Sequence, residues 1–130
     1  MGRPLTVERL LTTVDVDDAV ADDGRVSVRA RHEAVLADGG RVLLLDDRGW
    51  GTSAPWAATT AADVEQTARV VVGPDEPAPG GTWEESCAGY WAHLGRRLRE
   101  RGVPADPARL RELPHDVVLT DRLRARLARG

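Results

Sequence analysis

The chain has 130 residues, of which 42% are apolar and 30% charged, with 13 glycines and 8 prolines. That balance belongs to a globular domain rich in turns and excludes a fully disordered or collagen-like chain. Its 21 carboxylates outweigh 18 basic side chains, for a formal charge of −3, so the molecule as a whole holds no strong attraction for nucleic acid or an anionic membrane.

All the basic residues are arginines, and Lys, Ile, Asn and Phe do not occur. Such selection fits a GC-rich coding background, so the arginine count alone is no binding signature. The distribution is uneven: residues 1–90 hold 8 Arg against 16 carboxylates, whereas residues 91–130 hold 10 Arg against 5. Cys87 is the single cysteine, which excludes an intrachain disulfide and a multi-cysteine zinc site and makes a reducing cytoplasm the simplest location. The opening MGRPLTVERLL is too short and too charged for a secretory segment, and neither a lipid anchor nor a membrane span is expected.

Val7, Leu10, Leu11 and Val14 recur at helical spacing, predicting a short helix over 7–14 with Thr6 as N-cap. An acidic connector follows, with Asp15, Asp17, Asp18, Asp22 and Asp23 but without the ligand spacing of a calcium loop. From Val26 to Leu36 the even positions are apolar apart from His32, while Ser27, Arg29, Arg31 and Glu33 alternate with them, predicting a strand with one dry and one wet face. Asp38-Gly39-Gly40 supplies the reversal into a second strand over 41–47, expected to be the central, more buried one. GWGTSAPWAATT then reads as a loop in which Trp50 and Trp56 cover the hairpin or line a groove.

Thr60 and Asp63 begin a helix whose Ala61, Val64, Ala68 and Val72 share one side. GPDEPAPGG, residues 73–81, is an internal loop. Thr82 and Glu85 open a helix over 83–101, closed by Gly102, with Trp83, Cys87, Trp91, Leu94 and Leu98 on its apolar face. Asp106-Pro107 starts a short helical turn, Val117–Leu119 a final short strand, and Thr120 or Asp121 a last helix anchored by Leu123 and Leu127, with Arg122, Arg126 and Arg129 solvated.

The predicted architecture is therefore a small single α+β domain spanning 1–130: an antiparallel hairpin, one or two additional short strands, and covering helices. Two functional readings arise. In the first the chain is an intracellular noncatalytic protein-recognition or regulatory module. Arg96, Arg97, Arg99 and Arg101 steer an acidic protein partner, and Trp50 and Trp56 supply buried contact area. In the second it is a small-molecule-binding enzyme in which Asp46 or Asp47, brought opposite by the hairpin, orients His32 for acid–base chemistry. No cofactor and no metal are expected, since phosphate-loop, dinucleotide and zinc-ligand motifs are missing from the sequence. Nucleic acid is not an expected partner, because Trp83 and Trp91 fall within the packing stripe.

Overall fold

The computed structural model describes residues 6–19 and 22–130. The opening residues 1–5, read as neither secretory segment nor lipid anchor, lie outside the described residues, as do Val20 and Ala21 of the acidic connector.

The fold is α+β. Its four strands are β1 (Val7–Val16), β2 (Arg25–Leu36), β3 (Arg41–Pro55) and β4 (His115–Leu119), forming one mixed sheet in the order β3-β2-β1-β4. The first three run antiparallel through hairpin connections. The Leu10 N–H bonds Pro114 O and the Thr120 N–H bonds Val14 O, so β4 advances with β1 and lies parallel to it. After β3 come a 3₁₀ turn (Trp56–Ala58) and helices α1 (Ala61–Val71), α2 (Trp83–Glu100) and α3 (Pro107–Leu110), and after β4 comes α4 (Asp121–Arg129). No helix among the described residues is long and apolar enough to cross a membrane.

Residues 7–14 form a strand rather than the predicted helix. Val7, Thr12, Thr13, Val14 and Val16 are β-branched, which suits a pleated strand and crowds a helix. Leu10, Leu11, Thr12 and Val14 are all buried, so the apolar positions that mimic a helical stripe are those of an inner strand with Leu10, Thr12 and Val14 buried on one face and Leu11 on the other.

The hairpin between β2 and β3 forms where it was expected. Gly39 takes φ +87°, its N–H bonds Leu36 O, and the Leu36 N–H bonds Gly40 O, the geometry of a three-residue hairpin loop. However, β3 runs eight residues past the expected end and lies at the edge of the sheet rather than its centre. Gly49, taken as a loop signal, has another role: a Cβ there would stand 2.8 Å from Val28 O, so glycine lets the two strands approach and the ladder continue.

The chain divides into two compact units. Among the described residues the first comprises 6–11, Glu33–Leu44 and Gly73–Asp116. It buries Leu10, Leu11, Val35, Leu94, Leu98, Val103 and Leu110, with α2 in contact with α3. Thr82 caps α2 by accepting from the Glu85 N–H, one half of the capping box that the T-x-x-E spacing predicts. The start of the predicted apolar face departs from expectation: Leu94 and Leu98 are buried, Cys87 and Trp91 half-buried, and Trp83 is 54% exposed.

The second unit comprises Thr12–His32, Leu45–Val72 and Val117–Gly130. Val14, Val26 and Val28 of the sheet pack with Trp56, Val64 and Ala68, and with Leu119 and Leu123. Thr60 and Asp63 form a reciprocal capping box at the start of α1, and Thr120 caps α4.

Candidate functional site

The basic C-terminal half of α2 is built by an uninterrupted helix register. Leu94 and Leu98 anchor one side of the helix in the first unit. Arg96, Arg99 and Arg101 are therefore exposed and Arg97 half-buried. Arg99 donates to the Ala105 carbonyl at 3.2 Å. Arg96, Arg97 and Arg101 form no ion pair with any described residue, and they lie where a helix concentrates its exposed carbonyls and favours positive charge.

The arginines of α4 are placed differently. Arg122 binds Asp18 at 2.7 and 2.8 Å and Asp15 at 2.9 and 3.2 Å, and also donates to Val16 O. Arg126 binds Asp22 at 2.8 Å with its side chain only 12% exposed, and its guanidinium lies 4.9 Å from the centroid of the Trp56 ring, within cation–π range. Two of the three α4 arginines read as solvated are thus partners of the acidic connector. Hydrogen bonds from Arg126 and from the Gly24 N–H lower the Asp22 pKa to about 2. Partial burial works to raise the Asp15 pKa, but hydrogen bonds from Thr120, Arg122 and the Val16 N–H, with the Arg122 charge, outweigh it and hold the pKa below its ordinary value. Asp18 and then Asp15 raise the Arg122 pKa in turn.

His32 is on the dry face of β2, as alternation required, and is 1% exposed. Its Nδ1 lies 2.9 Å from Oγ1 of Thr12, a residue of β1 that is itself fully buried. Asp46 and Asp47 are exposed on the edge strand, and Asp47 stands 3.8 Å from Arg48. The expected His32–Asp46 or His32–Asp47 hydrogen bond is therefore replaced by His32–Thr12. Hydration accounts for the difference: carboxylates on an edge strand stay in water, whereas Nδ1 of the sealed imidazole is met by a neutral hydroxyl. Thr12 was missed because residues 7–14 read as a helix, which removes the strand that carries it.

The two tryptophans also separate. Trp56 is 2% exposed within the core, so it supplies no contact area to a partner, in correction of the sequence reading. Its place follows from Pro55 and the 3₁₀ turn, which swing the chain from β3 over the sheet. Trp50 is half-buried and borders a groove of about 210 Å³ with Thr52 and Ala54 of β3 and Asp63, Val64 and Thr67 of α1. Among the described residues no group of three or more His, Cys, Asp and Glu side chains is placed to hold a metal ion.

Comparison of the chain with protein-family models, with curated proteins and with solved structures gave no significant match.

Proposed function

We propose that the protein is a noncatalytic recognition module whose C-terminal half of α2 docks an acidic protein surface. The observation that carries this reading is the state of Arg96, Arg97 and Arg101: three guanidinium groups within six residues, none in an ion pair with a described residue. A rigid helix presenting open cations steers an acidic partner into encounter and fixes its register, because the charges are already in place when the partner arrives. Arg99, tied to Ala105 O, stiffens the end of that surface. The lone cysteine, half-buried Cys87, fits work in a reducing compartment such as the cytoplasm.

The test is copurification with a tagged chain, followed by surface plasmon resonance on the protein recovered. Association should slow as salt rises, because the screening length shortens to about 8 Å at ~0.15 M. The triple variant R96Q/R97Q/R101Q should associate about tenfold more slowly with little change in dissociation. An association rate that ignores both salt and the triple variant rejects the docking surface.

A further inference from the structure

On the second unit the sheet face opposite Val14, Val26 and Val28 carries a polar cleft of about 370 Å³, lined by Thr13, Asp15, Arg29, Arg31, Asp46 and Thr120. Strand alternation produces it. Thr13 and Asp15 project from β1 to the side opposite Val14, and Arg29 and Arg31 from β2 to the side opposite Val28 and Ala30. Asp46 enters from β3, and Thr120 follows β4. The floor is therefore hydrogen-bonded sheet, which fixes side-chain origins more firmly than loops do, and the volume lies within the roughly 300–1,000 Å³ typical of small-molecule sites.

The polar groups differ in how fully they are engaged. Asp15 accepts from the Thr120 hydroxyl at 2.7 Å, the Val16 N–H at 2.8 Å, and Arg122 at 2.9 and 3.2 Å. With its oxygens so occupied, Asp15 holds Arg29 only at 4.0 Å. Arg29, whose side chain is 60% exposed, makes no hydrogen bond with any described residue, and neither does the half-buried Thr13 hydroxyl. Asp46 makes neither a hydrogen bond nor an ion pair with a described residue. The cleft thus offers a guanidinium that Asp15 holds only at 4.0 Å and that has donors left for an anionic acceptor, and a carboxylate, Asp46, that calls for a cationic donor.

We infer that this cleft binds a small zwitterion of the free amino-acid class, its carboxylate on Arg29 and its ammonium on Asp46. Thr13 supplies a hydroxyl able to donate or accept beside them. A polyanion such as nucleic acid is a poor fit, because Asp46 repels it and Asp15 adds negative charge to the wall. A simple cation meets Arg29 and Arg31. Only a ligand carrying both charges answers both open groups at once. This site shares no residue with the docking helix, and neither proposal depends on the other.

Amide and arginine Nε–H NMR titrations of the full chain test it, with L-alanine, L-serine and L-glutamine as zwitterions and acetate and ethylamine as the two half-ligands. At least one amino acid should give saturable shifts at Thr13, Arg29, Asp46 and Thr120 and bind more tightly than either half-ligand. Arg29→Gln and Asp46→Asn should each weaken it about tenfold or more, the loss expected for a charge-assisted hydrogen bond, while Arg124→Gln, at an exposed position outside the cleft, leaves it unchanged. Both substituted side chains are exposed, so unfolding midpoints equal to the parent's identify the losses as binding effects. The inference is overturned if no amino acid gives saturable shifts there, if acetate binds as tightly as the amino acids, or if either cleft variant keeps the parent affinity.

Discussion

Helices α2 and α4 both end in arginine-rich sequence, RRLRER and RLRARLAR, yet the two sets of charges are placed differently. In α4, Arg122 and Arg126 close onto Asp15, Asp18 and Asp22, residues roughly a hundred positions earlier in the chain. In α2, Arg96, Arg97 and Arg101 find no acidic partner among the described residues. One set is engaged within the fold and the other makes no ion pair with a described residue. Arginine density does not separate the cases; the position of the aspartates does.

The largest effect is expected where an α4 arginine meets the core. Trp56→Ala removes a 2%-exposed ring from the cluster containing Val14, Val64 and Leu123, and takes away the surface on which Arg126 rests. The cost should be about 3–5 kcal/mol, read as a fall in the urea midpoint. Trp91→Ala on half-buried α2 should cost distinctly less, and an equal cost in the two variants would show that the packing difference is wrong.

Next comes the Thr12–His32 pair. Thr12→Val keeps shape but takes the hydroxyl from a buried imidazole nitrogen, with an expected loss of about 1–3 kcal/mol. Asp46→Asn and Asp47→Asn should leave the midpoint within about 0.5 kcal/mol of the parent, as surface changes do. A large loss in either aspartate variant with none in Thr12→Val would restore the carboxylate dyad.

The α4 ion pairs should also reveal themselves in acid. Asp22 has a folded-state pKa of about 2 against an ordinary 3.8, and the Asp15 pKa is also lowered. A lowered carboxylate pKa contributes stability that is present above the unfolded value and lost as pH falls through the folded one. Stability should therefore decline between about pH 4 and pH 2, and Asp22→Asn should flatten that decline while lowering stability at neutral pH. An identical acid profile in parent and variant would remove Asp22 from the clamp.

The smallest effect on stability belongs to α2. Neutralising Arg96, Arg97 and Arg101 should move the unfolding midpoint by no more than about 0.5 kcal/mol, whereas Arg126→Gln should lower it measurably. If the α2 triple variant is the less stable of the two, its arginines serve the fold and the docking proposal loses its foundation.

Local chemistry was legible in the sequence wherever it acts within a few residues. The Thr60–Asp63 box, the Thr82 cap, the Asp106-Pro107 start and the Gly39 reversal all depend on side chains reaching backbone close by, and all stand as the spacing predicts. The alternation in β2 placed His32 on a buried face for the same reason: a strand's period is a local property. The β1 strand matters more than its length suggests: i, i+3, i+4, i+7 spacing also arises in an inner strand that places apolar residues on both faces, as Leu10 and Leu11 do here. Losing that strand concealed the partner of His32 and the central position of β1.

From its own order of residues the chain determined the α+β class, the caps, the hairpin and the buried phase of β2, because each follows from propensity, period or a contact of short reach. Tertiary structure decided which strand is central, that β3 continues through Gly49, that Trp56 is sealed, and that Arg122 and Arg126 are engaged while Arg96, Arg97 and Arg101 meet no acidic partner among the described residues. Those outcomes depend on groups distant in sequence meeting in space: Val28 against Gly49, Asp22 against Arg126, Thr12 against His32. Hydrogen bonding and desolvation act over ångströms between folded surfaces, and the spacing of residues along one strand or helix carries no record of what another element brings to meet it.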